Sequence, residues 1–514
     1  MDEEEQTVEQ QLTALLGLVQ EKYSCSLPSD FSFPPSEFTP VKSPNFFVSL
    51  CDSLLKAKMD KNGVLLDVDL TLYEAGSNSP LYLRKVYFDL LEYILRNQTN
   101  TRDKFLVLGS PGTGKSFFHA FCLFVMLKSN APILFVRKEC TYLYCNGVFY
   151  ECINPKYSVS SIMIHNIWII YDSNAPPPIF TDKPIVVLVS SPRKEKYKDY
   201  RKTLDQPVFY MPLWEFDELE IIYGYMKQKP NMMPLTLDEL ERRYKVAGGV
   251  PRHIFRDWED YKTELEKAIT SLDVKYLNVK LGDDMPAVNH RVFGIIVAEN
   301  DYTNYTIDWL SLDICERAFD AKKKETTELI SLAVKGAYDV FYAAPLGHSY
   351  ELSCLYQLCT SNLEYKCVST DREMANEDIC FKASNCTRTT IIKIEEIVKR
   401  DAPCLWVFSH RNYPCVEAFL ILPNERMVIG VQVTLRPSHP IAYASLVKIC
   451  KFFEENFQEY SFNIVFVVRE GNYEKFGKQQ QQKKPPKKFN SPDDAMEVEQ
   501  QQDYPLRQFK LLFK

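Results

Sequence analysis

Between Phe105 and Lys128 a short apolar run ends in a glycine loop, and the loop opens into a second apolar segment. The stretch reads Phe105-Leu-Val-Leu-Gly109-Ser110-Pro111-Gly112-Thr113-Gly114-Lys115-Ser116. This is the pattern G-x-x-x-x-G-K-[ST] with a strand-like segment before it and a helix-like one after it. Glycines at 109, 112 and 114 let the backbone curl until its N–H groups face inward around a phosphate chain. The helix N-terminus adds partial positive charge. Lys115 is then expected to reach the β- and γ-phosphates, and the Ser116 hydroxyl to bind Mg2+.

At 514 residues the chain exceeds one ordinary core, so two to four domains are expected. Apolar (46%) and charged (25%) contents are those of a soluble globular protein. A net charge of −7 argues against bulk attraction to nucleic acid and leaves only local basic patches for that purpose. Fifteen cysteines without a C-x-x-C pair point to free thiols in a reducing, intracellular compartment and to no zinc ribbon. The acidic start Met1-Asp-Glu-Glu-Glu lacks an apolar h-region, so no secretory signal is expected. No run reaches the ~18 apolar residues of a membrane helix, so no membrane partner is expected.

Along the chain, Leu12, Leu15, Leu16 and Val19 fall at helical spacing, and residues 26–44, with five prolines, read as an irregular linker. Asn45–Ala57 reads as a helix, and so does the stretch from Ser79 through Arg84 to Leu95. Arg84 either reaches the nucleotide or, the favoured reading, is a solvated or salt-bridged surface residue. Asn146-Gly147 between two β-rich runs predicts a hairpin. Asn166-Ile-Trp-Ile-Ile-Tyr-Asp172 matches a Walker B strand whose terminal Asp172 meets Mg2+; the plainer reading is a buried strand ending in a turn. No acidic residue follows Asp172, which argues for slow hydrolysis or a base supplied from elsewhere. A third buried strand ends in Ser190-Ser191-Pro192-Arg193, where Ser190, Ser191 and Arg193 are candidates to sense the γ-phosphate or are simple turn residues. Helices at Asp217–Lys227 and Leu237–Val246 precede Gly248-Gly249-Val250-Pro251-Arg252. There Arg252 either starts a lid helix facing the triphosphate or belongs to a plain connection. The absence of an N-K-x-D signature favours adenine over guanine.

Together, Leu81-Tyr-Leu-Arg84, Gly109–Ser116, Trp168–Asp172, the strand ending Ser190-Ser191, Tyr210-Met-Pro-Leu-Trp214 and Gly248–Arg252 resemble the Crinkler effectors of oomycetes and fungi. They also resemble the related retrotransposon-hot-spot proteins of trypanosomes. The resemblance covers roughly residues 80–260. It implies an α/β fold: a STAND- or AAA-like P-loop NTPase with a parallel sheet and a helical or winged lid, followed by an α/β restriction-endonuclease-like domain. The Leu-Phe-Leu-Ala-Lys header motif of many Crinkler effectors is not found in the sequence.

In the C-terminal half, Glu328–Phe341 and Gly347–Leu358 have helical patterns. Two strands at Pro414–Pro423 and Met427–Leu435, separated by a turn from Pro423, then a helix at Ile441–Asn456 and a strand from Asn463 follow. This order resembles the restriction-endonuclease core, in which a first acidic residue and an [E/D/Q]-x-K pair hold Mg2+. The matching positions are Glu351, Glu417, Gln432 and Thr434, with Thr434 in place of the lysine. The family often shows a Q-x-T form followed by His, and His439 stands in that place. Either His439 takes over the proton chemistry or the site is inactive. The plain alternatives are a strand carboxylate for Glu417 and a loop residue for His439. Gly477–Gln502 is a low-complexity tail. Its Lys483-Lys484-Pro-Pro-Lys487-Lys488 is a nuclear-import signal, a nucleic-acid contact or a solvated charge run. Leu506–Phe513 alternates as a last strand returning to the sheet.

The expected domains are residues 1–75 of unassigned role, 76–280 the ATPase core with its lid, and 281–514 the nuclease-like domain with an insertion at 477–503. Expected cofactors are ATP, at Gly109–Ser116, Ser191 and Arg252, and Mg2+, at Ser116, Asp172, Glu417 and Gln432. The catalytic set is Glu351, Glu417, Gln432, Thr434, His439 and Asp172. The expected partner is nucleic acid, DNA ahead of RNA, in nucleus or cytoplasm, with oligomerisation left open. The rival expectation is a non-enzymatic ATP-driven switch whose degenerate nuclease domain only binds.

Overall fold

The structure is a computed structural model that describes residues 7–23, 38–42, 45–73, 79–98, 103–137, 140–152, 167–172, 185–192, 197–227, 235–274, 277, 290–298, 301–334, 344–360, 363–371, 378–383, 386–409, 415–434, 438, 441–479, 481–482 and 506–513. They form two compact units, one drawn from residues 1–241, 249–262 and 280–307 and the other from 242–248, 263–279 and 308–514. Of the stretch 280–307, the described residues 290–298 and 301–307 cluster with the first unit.

In the first unit the strands are β1 (Phe38–Pro40), β2 (Val64–Val68), β3 (Ser79–Tyr82), β4 (Lys104–Gly109), β5 (Ile133–Arg137), β6 (Cys140–Cys145), β7 (Val148–Cys152), β8 (Trp168–Asp172), β9 (Ile185–Ser190) and β10 (Phe209–Met211). Eight of the described strands form one sheet in the order β1-β7-β6-β5-β8-β9-β4-β10. From β5 to β10 every neighbouring pair is parallel, and β6, β7 and β1 extend it antiparallel. The β6–β7 turn is the expected hairpin, with Asn146 and Gly147 both at positive φ, 49° and 78°.

Four helices cover one face: α1 (Val8–Tyr23), α2 (Phe46–Lys56), α3 (Lys85–Asn97) and α4 (Lys115–Lys128). Strand alternation divides β4 between two cores: Phe105 and Val107 join these helices, while Leu106 and Leu108 join Tyr197, Tyr200 and Ile295. Helix α4 is buried continuously from Phe118 to Leu127, a run apolar on all sides except for the buried His119.

Two readings are corrected. Ser79–Tyr82, read as the start of a helix, is β3, paired antiparallel with β2. Pro80 disfavours helical backbone at Ser79, and the helix begins only at Lys85. Within the proline-rich linker, Phe38–Pro40 is an edge strand on β7, a place that tolerates proline. The rest of the linker, residues 26–37 and 43–44, lies outside the described residues.

The first unit also holds α5 (Lys198–Arg201) and α6 (Phe216–Met226), and α7 (Leu237–Ala247), α8 (Pro251–Ile254) and α9 (Trp258–Thr270) follow. Helix α7 ends at Gly248, whose φ of 68° makes the expected C-cap. Strands β11 (Phe293–Ala298) and β12 (Asp301–Trp309) pair with each other.

The second unit contains α10 (Leu312–Ala321), α11 (Lys323–Val334), α12 (Ala344–Thr360), α13 (Tyr443–Asn456) and α14 (Glu470–Tyr473). Its strands are β13 (Tyr365–Ser369), β14 (Ile379–Phe381), β15 (Thr387–Ile391), β16 (Cys404–Phe408), β17 (Ala418–Leu422), β18 (Met427–Thr434), β19 (Ile441–Ala442), β20 (Ser461–Arg469), β21 (Gln481–Gln482) and β22 (Arg507–Phe513). Eight of the described strands form a mixed sheet, β14-β13-β22-β20-β18-β17-β16-β15. The β17–β18 hairpin is antiparallel, and α13 crosses over from β18 to the parallel β20. Leu446, Ile449 and Phe453 of α13 pack on Phe419, Ile421, Val428, Ile464 and Phe466. The last strand, β22, lies between β20 (parallel) and β13 (antiparallel). Residues 483–505, with the lysine cluster, lie outside the described residues, and no described helix is long and apolar enough to cross a membrane.

Candidate functional site

The glycine loop follows β4 and ends where α4 begins, as its residue types require. Gly112 and Gly114 have φ of 90° and 94°, a region open to glycine. Neighbours forbid a side chain as firmly: a Cβ at Gly112 would lie 2.8 Å from Arg252 Cβ, and one at Gly114 would lie 2.6 Å from Tyr87 Oη. The Lys115 ammonium donates to the carbonyls of Gly109 (2.8 Å) and Ser110 (2.7 Å), so it already lies across the mouth of the loop. Pro111 and Ser116 are half-buried. The side chains of Ser110 and Thr113 are structural. Thr113 Oγ1 donates to Ser110 O (2.9 Å), and Ser110 Oγ accepts the Ile295 backbone N–H of β11 (2.9 Å).

The loop is held from behind by Tyr87, Trp214 and Arg84, a supporting role the sequence reading gave to none of them. Tyr87 Oη donates to Gly114 O (2.9 Å) and Trp214 Nε1 to Thr113 O (3.0 Å). Arg84, read as a surface residue, is 2% exposed. Its guanidinium forks onto Glu218 at 2.8 and 2.7 Å and donates to the carbonyls of Leu213 (2.9 Å), Pro212 (3.2 Å) and Thr113 (3.4 Å). Burial opposes the Arg84 charge, but Glu218 beside it more than restores it. Glu218 also accepts the backbone N–H of Glu215 (3.0 Å) at the start of α6, so one carboxylate fixes both a helix start and the arginine behind the loop.

Gly109, Ser190 and Asp172 end three parallel strands, β4, β9 and β8, that lie side by side, and the register sets Ser190 against Leu108. All three therefore stand on the carboxyl edge, where open α/β sheets bind ligands. Ser191 Oγ is buried with no hydrogen-bond partner among the described residues. Arg252, exposed on α8, has its Cβ against Gly112, which brings it beside the loop. Arg193 lies outside the described residues, and of Asp172 only the backbone position is described.

In the second unit the structure brings Glu351, Glu417 and Gln432 together. Glu351 is on α12. Glu417, one residue ahead of β17, accepts the Val433 backbone N–H (2.9 Å) and the Gln432 side-chain amide. Burial and the nearby Asp308 push the Glu351 carboxyl up to about 8. Burial and then Glu351 push Glu417 well above the usual carboxylate range. Thr434 is buried two residues beyond Gln432, on the same face of β18. His439 lies outside the described residues.

Two further residues belong to this site. Asp308, at the end of β12 and 2% exposed, has Oδ2 2.5 Å from His348 Nδ1. His348, three residues before Glu351 on α12, has Nε2 3.5 Å from Glu351 Oε2. The His-x-x-Glu spacing could have flagged His348, because it puts both side chains on one helix face. Nothing local distinguishes Asp308.

Crowded carboxyls whose protons are held by mutual repulsion and burial are what a divalent cation would relieve. Yet among the described residues no three His, Cys, Asp or Glu side chains are arranged to hold a metal ion. A third ligand would have to be the Gln432 amide, turned to present its oxygen.

The match to curated proteins is limited and specific. The chain is 28% identical over 209 residues to Crinkler effector protein 15 of Phytophthora infestans, and 28% identical over 207 residues to Crinkler effector protein 16 of the same organism. Each match covers 39% of this chain and 32% of the relative, so the chain spans about a third of the length of the curated relatives it matches. No family model matches the chain, and no solved structure matches it. The chain is thus a mixed α/β protein with a distant, Crinkler-like relationship.

Proposed function

We propose that the chain binds ATP with Mg2+ at the Gly109–Ser116 loop and that this P-loop ATPase is coupled to a metal-dependent nuclease-like domain acting on nucleic acid, DNA ahead of RNA. The observation that carries the reading is the loop itself: three glycines that admit no side chain, at the carboxyl end of a parallel strand, with Lys115 across the mouth and Arg252 against Gly112. An α-phosphate would take the inward N–H groups, and Lys115 would exchange two neutral carbonyls for charged phosphate oxygens. Ser116 and Asp172 would hold Mg2+, with Ser191 and Arg252 facing the terminal phosphate from either side. In the second unit Glu351, Glu417 and Gln432 would hold a divalent cation, which supplies a polarised phosphodiester and an activated water. Val433 N–H and Gln432 orient Glu417, and Asp308 orients His348 toward Glu351. We also propose an effector role, by analogy with the names of the two relatives, and place it in nucleus or cytoplasm on the sequence reading alone.

The test is plasmid degradation by the purified chain with Mg2+ or Mn2+, with and without ATP, beside Glu417→Ala and Lys115→Ala. Cutting that Glu417→Ala abolishes, and whose ATP dependence alone is changed by Lys115→Ala, supports the coupled nuclease. The second reading, a nucleotide switch whose C-terminal domain only binds, is favoured by one contact: the Gln432 amide already satisfies Glu417 without a cation. No cutting alongside intact nucleotide binding selects the switch.

A further inference from the structure

Cys359 and Cys386 are brought together across 27 residues of sequence, with their sulfurs 3.7 Å apart. Cys359 is on the last turn of α12, and Cys386 stands immediately ahead of β15. Both side chains are partly exposed, so a small oxidant can reach them and either can turn. The described cysteines Cys51, Cys122 and Cys354 are different: each is buried in its core, and burial pushes its thiol up and makes it unreactive. A third sulfur, on Cys404 of β16, is close by, since Cys404 pairs with Thr387. It is fully buried and takes contacts from Arg400 Nη1 (3.5 Å) and Thr389 Oγ1 (3.7 Å). With no described set of three such side chains arranged to hold a metal, the outer two sulfurs make a dithiol rather than a metal site.

We propose that Cys359 and Cys386 are a peroxide-sensitive modification site, a dithiol that closes reversibly into a disulfide. The hydrogen bond runs from the Cys359 thiol to the Cys386 sulfur, which holds the Cys359 proton on and lowers the Cys386 thiol toward thiolate. Cys386, which accepts in this contact and stands at the edge strand β15, is assigned as the attacking sulfur. Its thiolate attacks one oxygen of hydrogen peroxide and the O–O bond breaks. The departing hydroxide takes a proton and leaves as water, and Cys386 becomes a sulfenic acid. Cys359 sulfur then attacks Cys386 sulfur, the S–O bond breaks, and the expelled hydroxide leaves as a second water with the Cys359 proton. The two sulfurs lose two electrons in all, and one peroxide becomes two waters. A small thiol reverses the change by exchange. The sulfurs must approach by about 1.7 Å to reach bonding distance. The bond would tie the end of α12, the helix that carries His348 and Glu351, to the edge strand β15.

The experiment uses the full chain, reduced, freed of reductant and titrated with hydrogen peroxide. Remaining thiols are blocked with N-ethylmaleimide in denaturant, and the digest is read by mass spectrometry without reduction. The expected result is a linked pair of peptides holding Cys359 and Cys386, lighter by two hydrogens, at a dose that leaves Cys51, Cys122 and Cys354 alkylated. Dithiothreitol should return both as free thiols. In Cys359→Ser, Cys386 should stop at the sulfenic acid and take dimedone; in Cys386→Ser, Cys359 should stay a thiol at the same dose. The proposal is overturned if the wild-type pair stays reduced while other cysteines are modified. It is equally overturned if either residue links mainly to a different cysteine, or if Cys386 oxidises without a bond forming to Cys359. The wild-type map decides even if a variant fails to fold.

Discussion

Burial, and then the nearby Asp308, push the Glu351 carboxyl up to about 8 from an ordinary value of 4.5. A carboxyl that binds its proton more tightly when folded stabilises the fold fully below about pH 4.5 and loses that contribution as pH rises through about 8. The unfolding free energy should therefore decrease as pH rises from 5 to 8, by on the order of 1–3 kcal/mol, and Glu351→Gln should make the profile shallower. Calorimetry across that range checks it, and a profile unchanged by Glu351→Gln counts against the buried site. Arg84 makes a different demand. Replacing it with Ala strands Glu218 and three backbone carbonyls, a loss of about 3–5 kcal/mol by denaturant titration, and Lys should not restore it because an ammonium cannot make the fork. At Lys115 the change to Ala should weaken ATP binding about 10- to 100-fold in calorimetric titration, leaving the fold intact. These residues were unequally legible. Lys115 was readable because the loop motif prescribes its neighbours. Arg84 was misread because its burial comes from Trp214 and Glu218, more than a hundred positions away. Asp308 was invisible because its environment is supplied by α12, not by its own strand.

Among elements, the strand–loop–helix unit of β4 and α4 was legible almost to the residue, since period and turn chemistry agree there. Where they compete, the reading failed. An apolar pattern from Ser79 to Leu95 ran through Pro80, and the proline decided the first four residues in favour of strand β3. The β17–β18 hairpin and α13 were readable because alternation and turn residues coincide, and they place Glu417 and Gln432 side by side. The loop and α3 also depend on one another. Gly114→Ala sets a methyl against Tyr87 Oη at a φ of 94° and should abolish ATP binding with a stability loss of about 1–3 kcal/mol. Adding Tyr87→Phe removes the clash but not the backbone strain, so stability should return only in part. Full rescue in a thermal melt would show that contact, not conformation, requires the glycine.

For the whole molecule, two compact units predict two steps in unfolding rather than one. ATP with Mg2+ should move only the step of the unit that holds the loop, by about 2.7 kcal/mol at a hundredfold excess over Kd. A single transition shifted as a whole would mean that the units unfold together. The mixed sheet of the second unit adds a constraint of another kind. Strand β22, residues 507–513, sits inside the sheet between β13 and β20, although it follows the other described strands of that sheet in sequence. During synthesis the ribosome delivers β13, β14 and β20 long before the strand that joins them. A message broken or stopped before Arg507 would release a chain in which β20, buried from Asn463 to Val468, presents a bare edge for another chain to pair with. Residues 507–513 are therefore the closing piece of the second sheet: without them β20 and β13 have no strand between them.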